Sequence, residues 1–100
     1  MMKVADHPQI VLCWVQHGCP ACESYLPVFS GVAEKYARCV PSLIVACDDH
    51  PGAADLYRVN ETPVTMLLRY GRRSFSSLTG AAEPAELEAF YQAAARGCVL

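Results

Sequence analysis

The chain has 100 residues and a mass of 10.9 kDa, and 53% of its residues are hydrophobic while 18% are charged. This length predicts a single domain over residues 1–100, and this balance of apolar and charged residues excludes an intrinsically disordered chain. The formal net charge is −2, so the sequence offers neither the basic surface that nucleic acid requires nor a polybasic patch for an anionic membrane.

The first half of the chain predicts a strand, a long helix and a second strand. Residues 9–16 form an unbroken apolar run rich in strand-forming side chains, which predicts a central strand buried on both faces. From residue 20 to about residue 38, apolar side chains recur at helical spacing; Pro20 suits the first helical position and Pro27 is expected to kink the helix. Residues 42–47 predict a second buried strand. A strand–helix–strand unit of this length pairs its two strands in parallel.

The second half predicts a short helix, a hairpin and a final helix. Residues 51–57 are expected to form the short helix, and residues 63–70 and 72–78 form two strands of an antiparallel hairpin around Gly71. Residues 84 to about 96 carry an amphipathic helical pattern. The predicted fold class is therefore α/β, with a central four-stranded mixed sheet in the order βαβ and then ββα, flanked by helices.

The start of the sequence predicts a cytoplasmic protein. Residues 1–8 contain no apolar segment of the kind found in a signal peptide, and the apolar run that follows is too short to span a membrane. Without an export signal we expect a reducing compartment, in which cysteines serve catalysis or metal binding more often than structural disulfides.

The six cysteines do not form a regular framework, and only Cys19 and Cys22 make a recognisable unit. We interpret Cys39 and Cys98 as thiols without a role; each is an exposed free thiol or, as the alternative, an incidental disulfide partner. Cys47 ends a predicted strand and is interpreted as a buried apolar residue.

The segment Cys19-Pro20-Ala21-Cys22 joins a strand to a helix. A thiol at a helix N-terminus faces unpaired N–H groups and the positive end of the helix dipole, and both favour the thiolate. Cys22 lies one helical turn further on, so the pair can cycle between dithiol and disulfide, with Cys19 attacking and Cys22 resolving. Pro20 and Ala21 are expected to tune the pair. Zinc is the alternative, since His17 would complete a third ligand, but no second ligand pair is visible and we predict neither a metal nor a cofactor.

The order strand, CPAC, helix, together with Thr62-Pro63 at the start of the third strand, resembles the thioredoxin superfamily. The resemblance covers about residues 9–95 and implies the minimal form of the thioredoxin fold. It also implies that the Thr62-Pro63 peptide bond is cis, that it lies beside the cysteine pair, and that the backbone of Thr62 pairs with a bound peptide. In the same way it implies that Cys19 is the nucleophile.

The sequence departs from thioredoxins in several places. Only eight residues precede the predicted first strand, so the additional N-terminal strand and helix of full-length members are expected to be absent or vestigial. Cys13 and Ile44 occupy the positions that correspond to the buried Asp and Lys of thioredoxins. We interpret Cys13 as an apolar core residue, with a tuning role as the alternative. His17 either tunes Cys19 electrostatically or lies on the surface without a role.

Taken together, these features predict a thiol–disulfide oxidoreductase that reduces protein disulfides through Cys19 and Cys22. Its expected partners are disulfide-containing proteins and an electron donor, either a reductase or glutathione, and the protein is expected to be a monomer. One alternative is a glutathione-linked enzyme that resembles glutaredoxins, since the Cys-Pro-x-Cys form occurs among them. A disulfide-forming oxidant and a binding module of thioredoxin fold that works without its thiols are the others.

Overall fold

The computed structural model describes residues 8–98, and of Phe75 only the backbone. All seven predicted elements form. The strands are β1 (Ile10–Val15), β2 (Ser42–Ala46), β3 (Val64–Arg69) and β4 (Arg72–Thr79), and the helices are α1 (Pro20–Lys35), α2 (Pro51–Leu56) and α3 (Pro84–Ala94). Each helix begins with a proline, whose fixed φ suits the first turn and whose missing N–H would have no helical partner there.

The four strands form one mixed sheet in the order β2-β1-β3-β4. β1 and β2 are parallel, with Cys13 opposite Ile44, and the other two pairs of neighbours are antiparallel. The predicted fold class is therefore confirmed. Because β1 and β2 are parallel, the CPAC segment that follows β1 lies at one end of the sheet, whereas residues 39–41, which precede β2, lie at the other.

Alternation along β1 divides the core between the two faces of the sheet. Val11 and Cys13 point to the face that α1 and α3 cover, while Leu12 and Trp14 point to the face that α2 covers. Trp14 is 1% exposed, and its indole Nε1–H donates a hydrogen bond of 3.3 Å to Met66 Sδ on β3. The strand that leads to the CPAC segment is thus buried on both sides.

The prediction that β2 is a buried strand is wrong. β2 is an edge strand, and Leu43 and Ile44 are 37% and 49% exposed. A continuous apolar run predicts burial, but it carries no information about how many strands flank it. Cys47, which follows β2, is half-buried rather than fully buried and packs against the core on the α2 side.

The remaining differences concern the ends of elements. α1 ends at Lys35 and α3 at Ala94, a few residues before the predicted ends, and each continues into turns. α1 runs through Pro27 without interruption. Among residues 8–98 no helix combines the length and the apolar character that crossing a lipid bilayer would require.

Candidate active site

The cysteine pair lies where β1 passes into α1. Gly18 adopts a left-handed φ of +72°, a conformation that costs glycine little and that turns the chain sharply after the strand. Cys19 is the N-cap of α1 in an extended conformation, and Pro20 is the first helical residue. Cys19 and Cys22 are joined by a disulfide with a Cα–Cα distance of 5.2 Å. The structure thus shows the pair in its oxidised state.

The two cysteines differ in exposure and in surroundings. Cys19 is half-buried, whereas Cys22 is only 2% exposed. The backbone N–H of Cys22 donates a hydrogen bond of 3.2 Å to Cys19 Sγ, so the sulfur of Cys19 takes the place of the usual N-cap oxygen. Once the disulfide is reduced, this N–H and the positive end of the helix dipole stabilise a thiolate on Cys19. Only Cys19 is therefore both accessible and activated.

The Thr62-Pro63 segment lies directly against Cys19. The peptide bond between these residues is cis. Thr62 Oγ1 is 3.6 Å from Cys19 Sγ, and the carbonyl oxygen of Thr62 is 3.9 Å from the same sulfur. The structure thus brings together the cysteine pair and the threonine-proline pair that the sequence singled out, although 43 residues separate Cys19 from Thr62.

Gln16 is a further residue of this site, and our sequence reasoning did not find it. The hydroxyl of Thr62 donates a hydrogen bond of 3.2 Å to Gln16 Oε1. A hydroxyl carries one proton, so Thr62 can donate either to Gln16 or to the sulfur of Cys19, but not to both at full strength. The signal that could have pointed to Gln16 is that it is the polar residue on which the apolar run of β1 ends.

Cys13 lies behind the site in the core and is fully buried. Burial raises the pKa of its thiol to about 12, and a hydrogen bond with Thr65 offsets only part of that effect. Thr65 also hydrogen-bonds with the Tyr25 hydroxyl at 2.7 Å. Cys13 is therefore a neutral thiol at physiological pH and cannot accept a proton as a carboxylate would.

His17 is held at the rim of the site by two carboxylates. Its backbone N–H donates to the Asp48 carboxylate at 3.2 Å, and its Nε2 is 3.2 Å from Asp49 Oδ2. The hydrogen bond with Asp49 raises the pKa of His17, and the negative charges of Asp48 and Asp49 raise it further. The two carboxylates therefore offset the positive field that a protonated His17 would exert on Cys19. Pro20 and Ala21 are exposed beside Cys19.

Cys39 and Cys98 are not free thiols, so the interpretation preferred from the sequence is wrong and the alternative, a disulfide, is what the structure shows. They form a second disulfide with a Cα–Cα distance of 5.9 Å and a sequence separation of 59. The pairing follows from the packing of α1 on α3, where Tyr36 and Tyr91 stack with ring centroids 5.4 Å apart. This packing brings the segments that follow the two helices together at one end of the sheet.

Among residues 8–98, no cluster of three or more His, Cys, Asp or Glu side chains has an arrangement that could hold a metal ion. The Cys19–Cys22 disulfide is the feature that supports exchange between thiols and disulfides at this site. The sulfur of Cys19 can exchange with a disulfide of another molecule, Cys22 can close the Cys19–Cys22 disulfide, and Thr62 can stabilise negative charge on Cys19.

The comparison with known proteins agrees with this geometry. The thioredoxin family model matches residues 1–93. No curated protein sequence matches the chain. Many solved structures share the fold, and the match to each of the following covers most of both chains. A mutant thioredoxin from Halobacterium salinarum NRC-1 has a TM-score of 0.80 at 17% identity, with 92% of this chain and 79% of that chain covered. The thioredoxin of Malassezia sympodialis has a TM-score of 0.81 at 19% identity (88% and 76% covered), and the oxidised thioredoxin of Plasmodium falciparum has 0.79 at 15% identity (92% and 86% covered).

Proposed function

The chain belongs to the thioredoxin family, and we propose from this that it is a thiol–disulfide oxidoreductase that reduces disulfides in partner proteins through Cys19 and Cys22. The observation that carries the proposal is the asymmetry of the pair. Cys19 is half-buried at the N-terminus of α1, with Thr62 Oγ1 3.6 Å from its sulfur, while Cys22 is 2% exposed. An attacking thiol must be accessible and ionised, and a resolving thiol must be close and protected.

The reaction proceeds in two exchanges. The thiolate of Cys19 attacks one sulfur of the substrate disulfide, a mixed disulfide forms, and the other substrate sulfur leaves as a thiolate. Cys22 then loses its proton and attacks Cys19 Sγ, which closes the Cys19–Cys22 disulfide and releases the second substrate thiolate. Two electrons pass from the pair to the substrate. Because Cys13 is a neutral buried thiol, the proton of Cys22 goes to the departing substrate thiolate or to water.

Recycling the pair requires an external electron donor, and we propose a reductase or glutathione for this role. Both belong to reducing compartments such as the cytoplasm. Thr62 would present its backbone to the substrate beside Cys19, a role that rests on the family resemblance and on its half-buried position against the sulfur.

An insulin-reduction assay with dithiothreitol as the electron donor tests the proposal. The wild-type protein should accelerate precipitation of the insulin B chain, and Cys19→Ser should remove the acceleration. The double variant Cys39→Ser/Cys98→Ser is the matched control, because it also removes one disulfide but leaves the CPAC pair intact, and it should retain activity. Full activity of Cys19→Ser would overturn the proposal.

A further inference from the structure

The second disulfide lies far from the first. Cys39 follows α1 and Cys19 precedes it, so the length of the 16-residue helix separates them, about 24 Å at the usual rise per residue. The hydrogen bond from the Val11 N–H to the Pro41 carbonyl (2.9 Å) places the Cys39 segment beside the start of β1, whereas Cys19 follows its end. The two disulfides of one molecule therefore cannot exchange directly, and any reductant of the Cys39–Cys98 disulfide must come from outside.

The two cysteines of this disulfide differ in exposure, as Cys19 and Cys22 do. Cys98 is exposed, whereas Cys39 is half-buried and packs against the core on the side of α1 and α3. An exposed disulfide is open to attack by a thiolate, and disulfides of this kind exchange more readily than buried structural ones. Attack is expected at the sulfur of Cys98, because the core shields that of Cys39.

A cavity of about 500 Å³ opens at this disulfide, a volume in the range of small-molecule sites. Cys39 and Cys98 both line it, and so do Arg38 and Arg96, which are its only charged lining residues among those described. Both arginines are exposed, and neither forms an ion pair within residues 8–98. Their guanidinium groups are therefore available to carboxylates, which they bind with two parallel hydrogen bonds.

Gln9 lines the same cavity, and its Oε1 is buried without a hydrogen-bond partner among the described residues. A buried acceptor without a partner is uncommon, and an N–H donor of a ligand would satisfy it if the amide turned towards the cavity. The cavity thus combines two sites for carboxylates, one acceptor for an N–H group and a disulfide. A small peptide thiol that carries two carboxylates, such as glutathione, has the matching groups.

We propose that the Cys39–Cys98 disulfide is a second redox site, which exchanges with a small anionic peptide thiol of the glutathione type bound by Arg38 and Arg96. The thiolate of the ligand attacks Cys98 Sγ, a bond forms between the two sulfurs, and the Cys39–Cys98 bond breaks with its electron pair on Cys39. Cys39 leaves as a thiolate and takes a proton from water. A second molecule of the thiol then releases the oxidised ligand and leaves both cysteines reduced.

The test uses the full chain with Cys19→Ser/Cys22→Ser, so that its outcome does not depend on the CPAC pair. The oxidised protein is mixed with glutathione or with the cationic thiol cysteamine, the reaction is quenched in acid, and adducts are quantified by mass spectrometry. Rates are expressed per thiolate, so that the different ionised fractions of the two thiols do not enter the comparison. Glutathione should react faster than cysteamine by on the order of tenfold, with its adduct on Cys98, and the ratio should fall as salt is added.

The arginine variants test whether the preference for glutathione comes from binding by Arg38 and Arg96 or only from the exposure of the disulfide. Arg38→Gln/Arg96→Gln should abolish the preference for glutathione without unfolding the protein, which Trp14 fluorescence verifies. Arg58→Gln is the matched control, because Arg58 follows α2 on the opposite face of the sheet, and it should keep the preference. Equal rates for the two thiols, an adduct on Cys39, or resistance of the disulfide to glutathione would each overturn the proposal.

Discussion

The hydroxyl oxygen of Thr62 lies 3.6 Å from the sulfur of Cys19 and 3.2 Å from the side-chain oxygen of Gln16. In the oxidised protein the sulfur carries no charge, so Gln16 is the stronger acceptor. Reduction changes this balance, because a thiolate attracts the hydroxyl proton more strongly than a neutral amide does. Thr62 therefore stabilises charge on Cys19 in the state in which Cys19 acts.

Thr62→Val should raise the pKa of Cys19, because the variant lacks the hydroxyl that stabilises the thiolate. A hydrogen bond to a charged group contributes about 1.5–3 kcal/mol, and the length of this contact places the expected rise at the lower end, about one unit. The measurement is the ultraviolet absorbance of the thiolate against pH, made in a Cys22→Ser background. Thr62→Ser keeps a hydroxyl, so the pKa of Cys19 in this variant should stay close to that of the protein with Thr62. An unchanged pKa of Cys19 in Thr62→Val would contradict the role given to Thr62.

The buried thiol of Cys13 predicts a loss of stability at alkaline pH. Its pKa rises from 9.0 to about 12 on folding because burial disfavours the thiolate. The unfolded chain therefore releases this proton between pH 9 and 12 while the folded protein retains it, and the free energy of unfolding falls as the pH rises. The contribution amounts to up to about 4 kcal/mol. Urea unfolding at several pH values should show a shallower alkaline loss for Cys13→Ala than for wild type, whereas parallel curves would contradict the assignment.

The position of β2 at the sheet edge predicts unequal costs for two matched substitutions. Ile10→Ala removes a fully buried side chain and should lower the free energy of unfolding by about 2–5 kcal/mol. Ile44 is 49% exposed, so Ile44→Ala should cost less than about 1.5 kcal/mol. Both values come from urea unfolding followed by the fluorescence of Trp14. Equal costs would mean that β2 is covered in solution.

The elements of this fold follow from local patterns, but their surroundings do not. Apolar periodicity and the prolines at the helix starts suffice to place α1, α2 and α3, since both act over a few residues. The apolar run of β2 gave the wrong prediction of its burial, because Leu43 and Ile44 are apolar whether or not a further strand covers them. The unbroken apolar run of β1, in contrast, correctly predicts a strand that is buried on both faces.

The candidate site also combines features that follow from the order of residues along the chain with features that depend on tertiary contacts. The position of Cys19 at a helix N-terminus follows from the chain order alone, whereas its contact with Thr62 was expected only through the family resemblance. Gln16 was not predicted as a site residue, because its hydrogen bond depends on the approach of Thr62, which is distant in sequence. The pairing of Cys39 with Cys98 is also tertiary, since it requires α1 and α3 to pack first, and cysteine spacing does not determine connectivity.

The second disulfide should also stabilise the fold. It closes a loop with a sequence separation of 59, and the loss of chain entropy in the unfolded state corresponds to up to about 4 kcal/mol. Cys98→Ser should lower the free energy of unfolding by that order under non-reducing conditions. Cys39→Ser should cost a similar amount, and the double variant little more than either. Additive costs would show that the two residues do not act as a pair.

The most direct test of the central claim is to trap the mixed disulfide. Reduced Cys22→Ser protein in a Cys39→Ser/Cys98→Ser background, which removes the other exposed thiol, is mixed with insulin, quenched in acid and mapped by mass spectrometry. Cys19→Ser in the same background is the matched control. Because Cys19 attacks and Cys22 resolves, Cys22→Ser should accumulate one covalent adduct through Cys19, while Cys19→Ser should form none. An adduct through Cys22 at a comparable rate in Cys19→Ser, or no adduct with either variant, would contradict the mechanism.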